Sequence, residues 1–346
     1  MIGTRGPIAI SVVVCCFNSE QRLPAVLQHL LRQERDDTIS WEVVVVDNAS
    51  SDATAMVARE IWPSNARAQL HVVEERRPGL SHARRRGIEA ARGAIVSFVD
   101  DDNWVCADWI WRVHDIFARH PEVGACGGMG VAVFEANEPA WFHALQGSYA
   151  VGPQAAEAGY VPDERGWLAG AGLSIRRSAL MALFQAGFEN LNLGRVGKAL
   201  TSSEDVELCL ALRLAEWRLY YDPRLNYQHF MPKNRMLLSH RRQMQFANGR
   251  AQVVLCHYFA ALAGRSLAES SRSGRLEWLR QYCRALLSLV GSMLVFPVRG
   301  IRSVTYRADL IHQIGFVTAL GCSPRSFAAD RKRVFAFAKR LREQRT

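Results

Sequence analysis

Three carboxylates in a row, Asp100-Asp101-Asp102, follow the apolar run Ile95-Val96-Ser97-Phe98-Val99. Adjacent acids repel one another, so keeping all three ionised at a strand end is costly. A hard divalent cation relieves that cost, because Mg2+ and Mn2+ take oxygen ligands and bind through one or two carboxylates plus substrate phosphates. A solvated acidic turn ahead of the next helix is the plainer alternative. A second acidic pair, Glu204-Asp205, opens an apolar helical stretch. There a carboxylate suits a general base that takes the proton of an attacking hydroxyl, and it equally suits a helix N-terminal cap. His229, in Tyr227-Gln228-His229-Phe230 at the end of an expected strand, is a candidate metal ligand or phosphate contact, or a histidine packed among aromatics. Arg84, in Leu80-Ser81-His82-Ala83-Arg84-Arg85-Arg86-Gly87, has the charge to meet a diphosphate, while Arg85 and Arg86 read as a solvated helix face.

Other phosphate chemistry fails on spacing. Ala199 follows Gly197-Lys198 and Asn192 stands five positions before Gly197, so the GxxxxGK[ST] loop is absent. Asn18-Ser19-Glu20 follows the first strand where a GxGxxG dinucleotide loop would begin. The eight cysteines form no CxxC pair, which argues against a zinc site. Most lie in apolar company and are expected to be buried thiols in a reducing cytoplasm.

The elements that position these residues alternate. Residues 8–17 form a near-continuous β-rich run. Residues 20–34 have helical spacing, with Leu23, Val26, Leu27, Leu30 and Leu31 on one face. Strands are expected over 41–46, 70–73 and 94–99, with a helix capped by Asp52 to about residue 60 and another over 81–92 ending at Gly93. This alternation predicts an α/β fold with a mostly parallel central sheet and helices on both faces. Such sheets bind ligands beyond the carboxyl ends of their strands. Phe17-Asn18, Asp47-Asn48 and Asp100–Asp102 all fall at such ends. Residues 137–168 read as long loops, 172–176 as a strand, 205–215 as a helix and 217–221 as a strand. The pattern after about residue 235 is helical.

Charge divides the chain. Residues 1–229 hold 22 Lys and Arg against 28 Asp and Glu, a net of −6, whereas residues 230–346 hold 21 against 5, a net of +16. Arginine is abundant throughout, but abundance alone does not concentrate charge in one third of a chain. An anionic partner is expected for the tail. The uncharged stretch 285–298 is 14 residues long, short of the roughly 20 that span a bilayer. It is either a core helix, a re-entrant piece or an interfacial anchor flanked by Arg284, Arg299 and Arg302. The N-terminus shows no secretory signal pattern.

Five segments in order resemble family-2 glycosyltransferases of the GT-A fold over roughly residues 8–232. Ser11–Asn18 resembles the opening strand. Val44-Val45-Val46-Asp47-Asn48-Ala49-Ser50-Ser51-Asp52 resembles the second-strand motif. Residues 79–93 followed by 99–102 resemble the helix and strand leading to the DXD motif. Residues 170–177 resemble the segment bordering the acceptor, and Ser203-Glu204-Asp205 the Glu-Asp motif. The resemblance implies a non-processive bacterial-type enzyme with a catalytic domain over 1–232 and a basic helical region over 233–346. It implies that Asp47 contacts the nucleotide base beside Phe17, that Arg84 lies near the nucleotide, and that Asp100, Asp101 and Asp102 meet the donor. Asp102, with Asp100, would hold Mn2+ or Mg2+, and His229 would complete that site. Asp205, paired with Glu204, would be the base. Departures are Asn48 for a second Asp, Arg85 for Asn and Asn103 for another Asp. No QxxRW motif occurs in residues 240–250, so one-sugar addition is expected rather than polymerisation.

The expected reaction is an inverting transfer from a nucleotide-sugar, a UDP-sugar first, to a saccharide or lipid-linked hydroxyl in polysaccharide or glycolipid assembly. Rival readings are a sugar nucleotidyltransferase, which usually has a Gly-rich loop and Lys after the first strand, and a non-catalytic scaffold. Nucleic acid is not expected as a partner, since no aromatic-interleaved recognition motif accompanies the basic tail. The expected location is the cytoplasm, peripheral on the inner membrane face. Loops 140–167 and 188–202 are expected to carry selectivity.

Overall fold

A computed structural model describes residues 7–34, 38–194, 202–264, 274–300 and 303–344. Residues 195–201 of the 188–202 loop, the Gly197-Lys198 pair and Arg302 lie outside the described residues. By contacts the chain forms two compact units. The first comprises Met1–Glu135, Gly147–Ala182 and Glu216–Met231; the second comprises Ala136–Gln146, Leu183–Ala215 and Pro232–Thr346. The chain therefore leaves and re-enters the first unit, and the segment bearing Glu204 and Asp205 groups with the C-terminal helices.

The first unit opens with β1 (Ile10–Cys16), α1 (Leu23–Leu31), β2 (Trp41–Asp47), α2 (Thr54–Ile61), β3 (Gln69–Glu74), α3 (Leu80–Ala90) and β4 (Ile95–Asp100). β1 and β2 are Val-rich and buried along nearly their whole length, as strands covered on both faces must be. Then follow β5 (Asn103–Val105), α4 (Trp109–Arg119) and β6 (Val123–Phe134). The 137–168 stretch, expected as loops, holds the short α5 (Phe142–Leu145) and β7 (Gly159–Tyr160). β8 (Ser174–Arg176) leads into α6 (Arg177–Gln185), and α7 (Glu204–Leu214) precedes β9 (Arg218–Met231). β9 runs ten residues beyond the strand expected over 217–221, carrying His229 inside its last turn of pairing.

Among the described residues nine strands form one sheet, ordered β3-β2-β1-β4-β8-β6-β9-β5, with β7 also on β9. The β3-β2-β1-β4 half is parallel. Beyond it β8 runs antiparallel to both β4 and β6, and β9 is parallel to β6 and antiparallel to β5. Register sets the strand ends level: Cys16 pairs with Asp47, and Cys15 with Asp100. At the opposite ends of the strands Glu42 is fully buried, accepting from Ser11 Oγ at 2.6 Å and Arg92 Nε at 2.8 Å. Burial pushes its carboxyl up, but these hydrogen bonds outweigh burial and hold it below its ordinary value. One end of the sheet is thus fastened by a satisfied ion pair, leaving the carboxyl ends for ligands.

The second unit is helical: α5, α7, α8 (Leu238–Leu262), α9 (Gly274–Arg299), α10 (Val304–Cys322) and α11 (Pro324–Glu343). α8 and α10 cross with their backbones in contact at Gly249 and Gly315. A Cβ at Gly249 would strike the His312 carbonyl, and one at Gly315 the Phe246 carbonyl. Val253, Leu320 and Phe327 form a small core there. The cysteines differ from expectation: Cys16, Cys126 and Cys209 are buried, but Cys283 and Cys322 are exposed because α9 and α10 are only partly covered.

Candidate active site

The triad of the first unit begins as β4 ends. Asp100, the last residue of β4, lies 4.0 Å from Arg84 Nη2. Arg84 is buried on α3, its guanidinium over the Phe98 ring at 5.4 Å, so it is held under the strand end rather than displayed on the helix surface. Asp101 turns toward the loop after β1. Arg22 Nη2 donates to it at 2.6 Å, and Ser19 Oγ donates to the same oxygen. Ser19 Oγ in turn accepts from the Phe17 N–H at 3.1 Å, which ties the exposed Phe17 to the triad. Burial, then the neighbouring Asp102, pushes the Asp101 carboxyl up, with Arg22 and Ser19 opposing.

Asp102 is buried, and its Oδ1 lies 3.4 Å from His229 Nε2. The contact follows from topology: β5 pairs antiparallel with β9, setting Asn103 opposite His229, and the Phe230 N–H donates to the Asp102 carbonyl at 2.9 Å. Asn103 Nδ2 donates to Asp102 Oδ1 at 3.1 Å. Two donors this far apart suit one cation, since neighbouring ligands at bonds of ~2.1 Å sit about 3 Å apart. Among the described residues no three His, Cys, Asp or Glu side chains gather into a complete metal site. Two protein donors with substrate phosphates filling the rest is the ordinary arrangement for Mg2+ or Mn2+.

Asp47 ends β2, where its Oδ1 accepts from the Ser50 N–H at 3.2 Å and its carbonyl from the Glu75 N–H at 2.9 Å. Its neighbour Asn48 is structural. Asn48 Nδ2 donates to the carbonyls of Glu75 and Arg77, and its Oδ1 accepts from the Gly79 N–H at 2.8 Å. An amide can do both where an aspartate cannot donate, which accounts for Asn at this position. Phe17, Asp47, Arg84 and Asp100–Asp102 are thus brought to one end of the sheet, with His229 against Asp102. Arg22 and Ser19 were not singled out from sequence. Their signal was a serine and an arginine three apart in the loop after β1, which faces the end of β4.

In the second unit Glu204 and Asp205 are the first residues of α7. The cap itself is Ser203, at φ 69°. A left-handed conformation is uncommon outside glycine and is worth notice beside functional residues. The two acids differ. Glu204 is buried under Gly194, where an added Cβ would come 2.9 Å from its Cδ, and its carbonyl accepts from Asn190 Nδ2 at 3.1 Å. Asp205 is half-buried and accepts from the Val206 N–H at 2.8 Å, within the positive end of the helix. Glu207, one turn on, is fully buried. It accepts from the N–H groups of Leu191 and Asn192 and from Tyr258 Oη at 3.0 Å. Burial pushes its carboxyl up to about 7, although these hydrogen bonds pull the other way. Glu207 thereby ties the 190–192 loop and α8 to the helix that carries the acid pair. Sequence reasoning passed over it; its signal was an acid inside the apolar run of α7.

Residues 11–184 match the family described as "Glycosyl transferase family 2". The chain belongs to glycosyl transferase family 2. Its relatives in the family include the putative glycosyltransferase EpsH of Bacillus subtilis (strain 168), 33% identical over 101 residues, which are 29% of this chain and 28% of EpsH. A glucosyl-dolichyl phosphate glucuronosyltransferase of Haloferax volcanii is 25% identical over 205 residues, 59% of this chain and 63% of that protein. The chain thus spans under a third of EpsH and under two thirds of the Haloferax protein. Among solved structures, the mannosyltransferase PcManGT from Pyrobaculum calidifontis, in complex with GDP-Man and Mn2+, superposes with TM-score 0.54 at 18% identity. That match covers 99% of this chain and 90% of PcManGT. Likeness at this identity shows the fold, which is the GT-A-like α/β sheet with C-terminal helices that the family resemblance implied.

Proposed function

We propose that this family-2 protein is a metal-dependent, inverting glycosyltransferase that moves one hexosyl group from a nucleotide-diphosphate sugar, a UDP-sugar first, to a hydroxyl on a saccharide or lipid-linked acceptor. The observation that carries the reading is the buried Asp102–His229 pair at the carboxyl end of a sheet that also presents Phe17, Asp47 and Asp100 there. Membership of the family and the fold likeness to an enzyme solved with GDP-Man and Mn2+ support it.

Asp102 and His229 would hold the cation, with Asp100 beside them. When bound, Mn2+ or Mg2+ supplies Lewis-acid charge to the departing diphosphate. Phe17 and Asp47 would meet the nucleoside, Phe17 by its exposed ring and Asp47 by accepting hydrogen bonds. Arg84 and Arg22 hold Asp100 and Asp101 in place, so the acids keep their orientation when the diphosphate arrives. The acceptor hydroxyl attacks the anomeric carbon from the face opposite the diphosphate. A carbon–oxygen bond forms as the carbon–diphosphate bond breaks, the electron pair leaves with the diphosphate, and the hydroxyl proton passes to Asp205. Asp205 is assigned this role over Glu204 because it is the accessible member of the pair.

The deciding assay is product identity from UDP-sugars with Mn2+, with and without acceptor glycans or lipids. The expected product is nucleoside diphosphate, released faster with acceptor and stopped by chelation. Pyrophosphate release in a parallel reaction that supplies a nucleoside triphosphate and a sugar 1-phosphate would identify a nucleotidyltransferase instead. Donor binding with no release across acceptors would leave a scaffold.

A further inference from the structure

Among the described residues of the second unit, most of the exposed large apolar side chains lie on helix α9. The stretch 285–298, which the sequence left open between core and interface, is not core. Leu287, Leu294 and Val298 are 72%, 76% and 77% exposed. Leu287, Val290, Leu294 and Val298 recur every three or four residues, and Leu276 and Leu279 continue the same face toward the helix start. At ~100° per residue these six fall within an arc of roughly 100° and extend about 33 Å along the axis. A soluble surface rarely leaves so long an apolar stripe open.

The opposite side of α9 is fastened within its own unit. Trp278 Nε1 donates to the Leu320 carbonyl at 2.8 Å, Tyr306 Oη to the Ser292 carbonyl at 2.7 Å, and Glu277 meets Arg331 at 3.3 Å. Leu289 is buried on this side. α9 is long and apolar enough by composition to cross a membrane. A helix pinned along one side at both ends is nonetheless not free to stand alone across a bilayer, and Arg275, Glu277, Arg280 and Arg284 occupy its first half. What remains available is one face.

The surroundings of that face choose its occupant. Arg280, Arg284 and Arg299 are exposed on the same helix. Residues 230–346 hold 21 Lys and Arg against 5 Asp and Glu. A second copy meeting this face would bring like charges together. An anionic lipid surface matches both features, because an in-plane helix sinks its apolar side to the acyl boundary while its cations meet the headgroups.

We propose that α9 is an in-plane membrane anchor, its Leu276–Val298 face inserted into one leaflet of an anionic bilayer and its arginines on the headgroups. The proposal does not depend on the transfer chemistry, and its test uses no substrate. Full-length protein is floated with vesicles of phosphatidylcholine alone and of phosphatidylcholine with 30% phosphatidylglycerol, at low and high salt. Strong flotation with the anionic vesicles is expected, at least about tenfold weaker with the neutral ones and weakened by salt. The variant Leu287→Asp/Leu294→Asp/Val298→Asp should lose binding by tenfold or more while keeping its circular dichroism and melting temperature, since these side chains touch solvent. Wild type that stays off both vesicle types overturns the proposal, and light scattering then shows whether a dimer covers the face. Flotation unchanged in the triple variant also overturns it. Resistance of cell-membrane-bound protein to carbonate extraction would mean a spanning helix and overturn the in-plane reading.

Discussion

The two acidic clusters of this chain are built by opposite means. At the end of β4 each carboxylate is met by a base or hydroxyl from a different element: Asp100 by Arg84 of α3, Asp101 by Arg22 and Ser19 of the loop after β1, and Asp102 by His229 of β9. At the start of α7 Asp205 is met by the Val206 N–H next to it, and Glu207 by the N–H groups of Leu191 and Asn192 and by Tyr258 Oη. In the first cluster arginines lie against Asp100 and Asp101 and a histidine against Asp102, the arrangement to which the proposed function brings a cation and a polyanion together. The second lies at a helix terminus, and its half-buried member, Asp205, is the one to which the proposed function gives the base role. Two sets of acids therefore differ in chemistry because of what surrounds them, not because of residue type.

Five substitutions test that contrast, from the largest effect to the smallest. Asp205→Asn is expected to lower turnover by ~10²–10⁴ while donor affinity, measured by calorimetry, changes less than about threefold. Wild-type turnover in this variant would remove the base assignment. Asp102→Ala should lower turnover by ~10²–10³ and, unlike the first, should also weaken Mn2+ and donor binding; His229→Ala should weaken Mn2+ about 10- to 100-fold. Equal loss of donor affinity in the Asp205 and Asp102 variants would erase the distinction between the clusters.

Glu207→Gln probes the second cluster through pH. The Glu207 carboxyl stands near 7 in the folded protein against an ordinary 4.5. Below the lower value both states hold the proton. Between the two, only the folded state does, so stability falls as pH rises, and the loss is complete above about 7. The integrated effect is roughly 3 kcal/mol at most. Urea melts at pH 5 and pH 8 should show wild type losing more stability over that interval than the Gln variant, with matching slopes counting against a buried, proton-holding Glu207. Arg22→Ala should cost ~1–3 kcal/mol, because Asp101 then faces Asp102 with Ser19 alone. An unchanged melting temperature would show that Arg22 screens nothing.

Much of the first unit was legible because its signals are local. Val-rich runs buried on both faces, helices with an apolar stripe and acids at strand ends recover β1–β4 and α1–α3 to within a few residues. The same reading gave 217–221 as one strand and set His229 at the end of another, where the structure has a single strand, Arg218–Met231. The strand persists because β6 pairs with it on both sides of an irregularity, from Arg218 to Tyr221 and again from Asn226 to Met231. It left α9 undecided, as an apolar run has the same composition whether neighbours cover it or not.

Sequence by itself determined which acids stand at which element ends, the family, and the charge split between −6 and +16. Tertiary structure alone decided the partners. Arg22 reaches Asp101 across 79 positions because β1 and β4 are neighbours in the sheet. His229 reaches Asp102 because β5 returns along β9. It also decided that Arg84 is buried, that Glu204 is covered while Asp205 is only half-buried, and that α9 shows several of its leucines to the outside. Burial and partner choice are properties of long-range pairing, and long-range pairing is what a single sequence encodes least directly.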